Sequence, residues 1–363
     1  MASSAPKVAE EERYEAFEVV DQKAQALADQ IKKSKHFIAF TGAGVSTSTG
    51  IPDFRGPEGA WTLRAQGRQR TSKAISTLQA IPSPTHMALV GLQNRGLLKF
   101  LVSQNCDGLH RRSGILPDRI SELHGNSNLE YCKDCGKEYL RGRKCPCCNG
   151  ILLDSIINFT EPLPPKHVER AFDNAKEADL CLVLGSSLMV TPANEIPEVV
   201  SRKRNAKLVI CNLQQTPLDA LSDLRIYSKT DDLMIRVMEK LDIPIPPFIL
   251  YRRLVVQLET MEDTKHRVTV SGVDIDGTPV TFLRSVKVEY NRRAACSEPF
   301  VMNFRENLDS GTNLKLELEF MGHYGEPNVD ISYEYTNESN TQAVYLLEYN
   351  PYTREWKVGK QTE

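Results

Sequence analysis

Five of the nine cysteines lie between positions 132 and 148, in a spacing typical of a metal site. Cys132 and Cys135 form one pair with two residues between them, and Cys145 and Cys148 form a second. This gap lets one turn present two thiolates to a tetrahedral zinc ion. Cys147 competes with Cys148 as fourth ligand, and the pairs are closer together than usual. We predict a structural zinc held by Cys132, Cys135, Cys145 and Cys148, because four thiolates leave no open position for water. The alternative is a run of reduced thiols.

A second motif is the small-residue turn Gly42-Ala43-Gly44, which follows a short apolar run. Small residues let a phosphate approach the backbone, where exposed amides and a helix dipole stabilise its charge. Taken alone, the turn is equally compatible with an ordinary connection from strand to helix. A dehydrogenase fingerprint would have glycine where this chain has Thr47, so a hydride-transfer site fits poorly.

The next loop, residues 51–56, combines a carboxylate, an aromatic ring and a cation in Asp53, Phe54 and Arg55. Charged loop residues are usually only solvated. This mixture, however, suits the surroundings of a nicotinamide ribose.

These motifs must be positioned by regular elements. Apolar residues at helical spacing predict a helix over Tyr14–Lys33. Four short apolar runs, each followed by polar or small residues and separated by helix-length segments, predict an α/β fold with a parallel sheet. In such a sheet ligands bind beyond the carboxyl ends of the strands, so the four tails should converge on one crevice. The runs are residues 36–40, 99–105, 179–187 and 207–213.

Beyond Leu250 the apolar residues alternate with polar ones, which predicts a small β domain. The alternation is clearest at Leu314, Leu316, Leu318 and Phe320, and again at Val329, Ile331, Tyr333 and Tyr335. Asp276-Gly277 between apolar residues indicates a hairpin. This segment shows no catalytic constellation.

The overall charge gives little indication of a partner. The 363 residues contain 45 Lys and Arg against 47 Asp and Glu, a net charge of -2, so no global cationic field favours nucleic acid or membranes. No apolar run reaches the roughly 18 residues of a membrane span, and the N-terminus lacks the apolar core of a signal peptide. We expect a soluble, intracellular protein.

Ordered motifs across residues 37–231 resemble the sirtuin family, and specifically its nuclear, chromatin-associated branch. The match is long enough that chance agreement is improbable. It runs through TGAGVSTSTGIPDFRGPEGAW (41–61), SQNCDGLH (103–110), ELHGN (122–126), the two cysteine pairs, FTEPLP (159–164), LGSSL (184–188) and CNLQ (211–214). The N-terminal arm and the segment after Leu250 lie outside it.

The resemblance implies a Rossmann-like parallel sheet with a small inserted zinc-binding module at 130–152, followed by a C-terminal β-rich domain. We therefore expect an N-terminal arm and helix at 1–33, a catalytic domain at 34–248 and a β-rich domain at 249–363. It also implies an NAD-dependent protein-lysine deacylase that uses NAD+ as co-substrate, holds one structural Zn2+, and produces nicotinamide and O-acyl-ADP-ribose. Acyl-lysine proteins, including histones or other chromatin proteins, would be its partners, and the nucleus its location.

His124 matches the catalytic histidine of the family. In the implied reaction, nicotinamide leaves the ribose as the acyl-lysine carbonyl oxygen attacks, and His124 then accepts a proton from a ribose hydroxyl. A lone histidine is more often structural, but the surrounding ELHGN motif favours the catalytic role.

The resemblance further implies contacts to NAD+ at fifteen positions. Phe54 is expected near the nicotinamide, Gln104 and Asn105 near the reacting ribose carbon, and Asp107 on the carboxamide. The later positions are expected at the phosphates, the adenosine ribose and the adenine. The full set is Ala43, Thr47, Asp53, Phe54, Arg55, Trp61, Gln104, Asn105, Asp107, Gly185, Ser186, Ser187, Asn212, Gln214 and Thr230.

Two positions depart from the family pattern. Cys106 stands where sirtuins usually have an aliphatic residue, which predicts altered packing and altered inhibition by nicotinamide. Thr160 stands where many have glycine, in a loop that lines the acyl-lysine channel, and threonine resists backbone shapes that glycine permits.

Two alternative functions stay open: mono-ADP-ribosyl transfer to a protein, and an NAD-sensing scaffold without catalysis.

Overall fold

The computed structural model describes residues 11–70, 75–140, 145, 147–158, 160–262, 264–275 and 277–361. The chain forms two compact units. The first comprises Met1–Ser127 and Ser155–Pro247, and the second comprises Asn128–Asp154 and Phe248–Glu363. Within the described ranges, no helix is both long enough and apolar enough to cross a membrane.

The first unit is built on a six-stranded parallel sheet. Its strands are β1 (Phe37–Thr41), β2 (Leu98–Ser103), β3 (Ile120–Glu122), β7 (Leu180–Leu184), β8 (Lys207–Cys211) and β9 (Leu224–Ile226). Their order across the sheet is β3-β2-β1-β7-β8-β9. This confirms the predicted α/β fold with a Rossmann-like sheet. The apolar runs form its centre, and their last residues become the loops that carry the site.

Helices cover both faces of this sheet. They are α1 (Phe17–Lys33), α2 (Ala60–Ala65), α3 (Pro84–Asn94), α4 (Leu109–Ser113), α5 (Pro165–Glu177), α6 (Glu195–Ser201) and α7 (Thr230–Leu241). Successive strand residues point to opposite faces, so Phe37 and Ala39 pack in a cluster with α1, α3 and α7. Ile38 and Phe40 pack in a second cluster with α5 and α6. The two-sided core explains why the central strands read as continuous apolar runs.

The first helix is shorter than predicted, because it begins at Phe17 and not at Tyr14. The residues before Phe17 make backbone hydrogen bonds outside the helix. The Arg13 amide donates to the Leu213 carbonyl at 2.8 Å, and the Glu15 amide donates to the Tyr227 carbonyl at 2.9 Å. Phe17 is 64 % exposed, so it is not part of the core stripe that the helical spacing predicted.

The second unit is antiparallel. Its C-terminal strands are β10 (Leu250–Glu262), β11 (Lys265–Val273), β12 (Leu283–Val288), β13 (Phe300–Arg305), β14 (Asn313–Phe320), β15 (Val329–Glu334), β16 (Asn340–Asn350) and β17 (Glu355–Gln361). A five-stranded sheet, β13-β11-β10-β16-β17, and a three-stranded sheet, β12-β14-β15, share one hydrophobic cluster. This agrees with the predicted β-rich C-terminal segment.

The predicted hairpin near Asp276-Gly277 falls partly outside the described residues, because Asp276 is not among them. On either side the backbone turns tightly: the Asp274 amide donates to the Thr278 carbonyl at 2.7 Å, and the Gly277 amide to that of Asp274 at 3.0 Å. Gly277 has a φ of +89°, which glycine adopts without steric cost.

The cysteine-rich segment belongs to the second unit. It forms a three-stranded sheet from β4 (Leu129–Cys132), β5 (Glu138–Leu140) and β6 (Leu152–Asp154). Leu140 also pairs with Val280 and packs against the C-terminal hydrophobic cluster. The Leu140 amide donates to the Pro279 carbonyl at 2.8 Å, and its carbonyl accepts from the Thr281 amide at 3.2 Å. The cysteine-rich segment is therefore joined to the C-terminal strands.

Candidate active site

A cavity of about 730 Å³ lies in the first unit, within the range of small-molecule sites. The loops after β1, β2, β7 and β8 all contribute to it, as expected where parallel strands end. The structure thus brings most of the predicted cofactor residues together. Those that line the cavity are Ala43, Asp53, Phe54, Arg55, Trp61, Gln104, Asn105, Gly185, Ser186, Ser187, Asn212 and Gln214, with His124.

The glycine turn is a close backbone contact between two loops. A Cβ on Gly42 would lie 2.7 Å from the Gly185 carbonyl oxygen, and one on Gly44 would lie 2.7 Å from the Gly185 Cα. The Gly44 amide also donates to the Gly185 carbonyl at 2.9 Å. Only residues without side chains allow this approach, so the backbone itself forms this wall of the cavity.

Asn105 is held by a buried polar network beneath the glycine turn. Its amide nitrogen donates to the Gly42 carbonyl at 3.0 Å, and it lies 3.4 Å from Ser46 Oγ. The Ser46 hydroxyl donates to the Asp107 carboxylate at 2.6 Å, and that carboxylate also accepts from the Leu109 amide. Asp107 supports the loop from behind and does not itself line the cavity.

His124 follows β3 and is oriented by a backbone carbonyl. Its Nδ1 lies 2.9 Å from the Gln104 carbonyl oxygen. Because a carbonyl can only accept, Nδ1 carries the proton and Nε2 is the basic nitrogen. Burial lowers the pKa of His124, and the hydrogen bond to Gln104 opposes this only in part. The imidazole is therefore neutral at neutral pH, as a general base must be.

Gln104 connects this histidine to the loop after β7. Its side-chain carbonyl accepts from the Ser186 hydroxyl at 2.7 Å, while its backbone carbonyl orients His124. Ser186 Oγ in turn accepts from the Leu188 amide at 3.2 Å. The base and the polar loop after β7 are thus held in one hydrogen-bonded unit.

The loop at residues 53–61 forms an aromatic and cationic wall. The rings of Phe54 and Trp61 lie 5.0 Å apart, and the Arg55 guanidinium lies 4.5 Å from the Trp61 ring. Arg55 also reaches Ser187 Oγ at 3.5 Å. Burial raises the pKa of Asp53, whose carboxylate accepts from the Gly56 amide at 3.2 Å. A cation and an aromatic plate suit a phosphate and a planar base.

Asn212 and Gln214 form the wall beyond β8. The Asn212 side-chain amide donates to the Gln214 carbonyl at 2.9 Å, and the Gln214 side chain donates to the Arg55 carbonyl at 3.4 Å. Both line the cavity. The loop after β8 is therefore connected to the loop at residues 53–61.

Among the described residues, two further predicted contacts lie outside the cavity lining. Thr47 donates to the Gly44 carbonyl at 3.1 Å and so stabilises the glycine turn. Thr230 begins α7, is buried, and accepts from the Thr85 hydroxyl at 3.1 Å. Thr47 is exposed, whereas Thr230 and Asp107 are buried behind the lining residues.

Several lining residues were not predicted individually. Their common feature is that they flank the FTEPLP loop or follow β7. The FTEPLP and LGSSL motifs are the sequence signals that pointed to this region, and Phe159 of the first motif lies outside the described residues. The additional lining residues include Ile157, Asn158, Val168, Glu169, Val190, Thr191 and Pro192.

The two departures from the family pattern both line the cavity. The Cys106 thiol donates to the His124 carbonyl at 3.2 Å. Burial, with the nearby Asp107 and Glu122 charges, raises the pKa of Cys106 to about 12, so it packs as a neutral thiol. Thr160 has a φ of +79°, in the left-handed region that favours glycine. A β-branched residue is strained there.

In the second unit, four sulfurs form a compact cluster. The Sγ atoms of Cys132, Cys135, Cys145 and Cys148 all lie within 4.8 Å of one another. Zinc bonds to sulfur of about 2.3 Å would place tetrahedral ligands about 3.8 Å apart, so the four thiols fit zinc. A Cβ on Gly150 would lie 2.8 Å from Cys132 Sγ, which explains the glycine beside the cluster. Cys147 is exposed, and its sulfur accepts from Lys137 Nζ at 3.4 Å.

Comparison with known proteins shows which family has this cavity and this cysteine cluster. The Sir2 family model matches residues 66–192. The NAD-dependent protein deacetylase SRT1 of Arabidopsis thaliana is 38 % identical over 340 residues, covering 82 % of this chain and 72 % of that protein. The chain belongs to the Sir2, or sirtuin, family. Sirt6 of Drosophila melanogaster, also an NAD-dependent protein deacetylase, is 37 % identical over 260 residues. The matched region covers 65 % of this sirtuin and 81 % of the Drosophila protein.

A solved Sir2 structure with a deacetylated p53 peptide and 3'-O-acetyl ADP ribose superimposes with a TM-score of 0.51. It is 33 % identical and covers 61 % of this sirtuin and 99 % of that chain. The protein is therefore an NAD-dependent protein-lysine deacetylase, with NAD+ as co-substrate and a four-cysteine cluster suited to structural zinc.

Proposed function

We propose that this sirtuin removes acyl groups from lysine with His124 as the general base, producing nicotinamide and O-acyl-ADP-ribose. The observation that carries the proposal is the geometry of His124: Nδ1 is fixed on the Gln104 carbonyl at 2.9 Å, and burial keeps the ring neutral. Nε2 is then the acceptor for a ribose hydroxyl proton.

When bound, NAD+ supplies a ribose carbon that becomes electrophilic as nicotinamide leaves. The chain's own groups would position and shield it. The Gly42 and Gly44 backbone and the Arg55 cation would hold the phosphates, and Asn105 would orient the ribose. Asn212 and Gln214 would contact the adenosine ribose.

Zinc has no part in this chemistry. Cys132, Cys135, Cys145 and Cys148 would hold it, and four thiolates leave no position for a reacting water. Its contribution is to the folding of the cysteine-rich segment.

The lowered pKa of His124 has a direct consequence for the pH dependence of deacylation. A free imidazole loses its basic form as pH falls through about 6.5. Because the His124 pKa lies below that value, the acid limb of kcat/KM should lie below pH 6.5 as well. An acid limb above pH 6.5 would argue against His124 as the titrating base.

Product analysis tests the reaction itself. The enzyme should be incubated with NAD+ and a panel of acyl-lysine peptides, and the products identified by mass spectrometry. Deacylation predicts one O-acyl-ADP-ribose for each free lysine formed. A labelled acceptor protein without free lysine would favour ADP-ribosyl transfer. NAD+ binding without nicotinamide release would favour a sensing scaffold.

We further propose a nuclear location and histones or other chromatin proteins as substrates. The support is the resemblance of the motifs to the nuclear branch, together with similarity to Drosophila Sirt6. A fluorescent fusion excluded from the nucleus would contradict the location. Acetylated histone peptides that turn over no faster than composition-matched control peptides would contradict the substrate class.

We propose three functional segments: the arm and helix at 1–33, the catalytic domain at 34–248 with its zinc module at 130–152, and the β-rich domain at 249–363. The alignment with SRT1 covers 82 % of the chain, more than residues 1–248 alone provide, so part of the β-rich segment is shared with that enzyme. Truncation after Ile249 removes Pro279 and Thr281, the hydrogen-bond partners of Leu140 in the cysteine-rich segment, but leaves every cavity-lining residue in place. It should therefore preserve turnover of a short peptide. An insoluble product would instead mean that the β-rich segment is needed for folding.

A further inference from the structure

Arg225, on the edge strand β9, reaches across to the loop that follows β8. Its Nη1 donates to the Asn212 carbonyl at 2.9 Å and to the Ile226 carbonyl at 2.7 Å. Its Nη2 donates to the Gln214 carbonyl at 2.6 Å. One guanidinium thus binds both ends of the three-residue loop 212–214.

The guanidinium is fixed from two further directions. Its Nε donates to Asp219 Oδ1 at 2.8 Å, and its centre lies 3.9 Å from the Tyr227 ring. Asp219 is itself held by the hydroxyls of Thr216, at 2.6 Å, and Tyr227, at 3.3 Å. The planar fork of arginine therefore has one well-defined orientation.

The loop that Arg225 holds is part of the cavity wall. Asn212 and Gln214 line the cavity, and the Gln214 side-chain amide donates to the Arg55 carbonyl at 3.4 Å. Arg225 is not among the lining residues. Its effect on the cavity must pass through the backbone of the loop.

We propose that Arg225 is a positioning residue for NAD+: it holds loop 212–214 in the conformation that presents Asn212 and Gln214 to the adenosine half. This rests on the proposed assignment of those two residues to the cofactor. Lysine retains the charge but has no planar fork and cannot bind two carbonyls and a carboxylate in this geometry. If the loop were then competent in only a tenth of the molecules, the apparent Kd would rise about tenfold.

The test is Arg225→Lys, with NAD+ and ADP-ribose titrated by calorimetry and deacylation measured at saturating NAD+. We expect both Kd values and the KM for NAD+ to rise about tenfold. The kcat should stay within about twofold, because the group at His124 is unchanged. Asp219→Asn, which loosens the guanidinium without removing it, should produce a smaller rise in the same direction.

Arg252 provides a matched control. Its side chain is 13 % exposed, as is that of Arg225, and it is paired with Asp274 at 2.9 Å, but it lies in the second unit. Arg252→Lys should leave the Kd for NAD+ unchanged.

Asn212→Ala separates the inference from the proposed function. If Asn212→Ala weakens NAD+ binding while Arg225→Lys and Asp219→Asn do not, the role of Arg225 is wrong and the cofactor assignment stands. If Asn212→Ala also has no effect, the assignment of the loop itself fails. A fall in kcat at unchanged Kd would also overturn a positioning role.

In the double variant Arg225→Lys with Asn212→Ala, the effects on Kd should be less than additive, because both substitutions act through one loop.

Discussion

His124 and His266 illustrate how the two units of the molecule use the same side chain differently. In the antiparallel unit, His266 is fully buried and uses both ring nitrogens, with Thr260 Oγ1 at 3.1 Å and the Glu306 carbonyl at 3.1 Å. In the parallel-sheet unit, His124 uses Nδ1 on Gln104 and presents the rest of its ring to a cavity. The ring of His266 is held at both nitrogens inside the fold, whereas His124 is oriented through Nδ1 and lines a cavity, where Nε2 can accept a proton.

The same contrast holds for other polar groups. In the second unit the half-buried Glu298 carboxylate accepts from the Gly272 amide and the Thr281 hydroxyl, both at 2.6 Å. Glu298 lies just before β13, and its partners lie in β11 and just before β12, so this carboxylate is used to hold the fold of the unit together. Parallel strands end together, and their loops carry polar groups into a shared crevice. The difference in sheet type therefore determines which unit provides a site for chemistry.

The largest effect is expected at the cysteine cluster. Cys132→Ala removes one thiolate and should cause loss of zinc with a marked fall in Tm, because metal binding is coupled to folding. Cys147→Ser is the matched control and should retain nearly stoichiometric zinc, since Cys147 is not one of the four clustered thiols and its sulfur accepts from Lys137. Metal analysis and thermal unfolding measure both. Full zinc in Cys132→Ala with an unchanged Tm would exclude the site.

A second effect is expected from a buried histidine pair in the first unit. His86 and His110 have ring centroids 4.6 Å apart, and burial lowers the pKa of each to about 3. The Arg112 charge lowers that of His86 further, and His86 lowers that of His110. In the unfolded chain both would titrate near 6.5.

The unfolded state therefore binds more protons below pH 6.5, and stability should be full above that pH and fall as pH approaches 3. Thermal unfolding at pH 7.5 and pH 5 measures the loss. His86→Gln removes one titrating group and should reduce the difference in Tm between the two pH values. An equal difference in both proteins would show that the pair does not contribute.

A smaller effect is expected at Thr160, whose φ is +79°. At ordinary positions glycine is less stabilising than alanine. Here alanine keeps the backbone strain and glycine removes it, so Thr160→Gly should be more stable than Thr160→Ala by about 1 kcal/mol. Chemical denaturation measures this order. The reverse order would show that the left-handed conformation is not maintained in solution.

The apolar runs allowed the parallel sheet to be predicted, because a strand buried on both faces has a local sequence signature. The strand ends were less predictable, since Thr41 continues β1 while Asn105 already belongs to a loop. Phe17 fits the helical pattern but lies under Arg236, 4.3 Å from its ring, at the surface. A pattern gives periodicity and does not show which partner covers a residue.

The site was predictable where the glycine turn and the motif residues carry the geometry directly. Thr47, Asp107 and Thr230 were expected at the cofactor but are not among the residues that line the cavity. Val190 and Ile157 line it without any motif of their own, because their position depends on loops that meet only in the folded chain. Arg225 was missed for the same reason.

The most direct test of the contrast between the two histidines is His124→Ala, with His266→Ala as the structural control. NAD+ affinity should change little in His124→Ala, and nicotinamide exchange should survive, because it precedes the step that needs a base. Formation of O-acyl-ADP-ribose should fall by roughly 10²–10⁴. His266→Ala should lower Tm and leave the rate per folded molecule near that of the unsubstituted enzyme. Near-normal O-acyl-ADP-ribose formation by His124→Ala, or loss of its NAD+ binding, would contradict the assignment of His124 as the catalytic base.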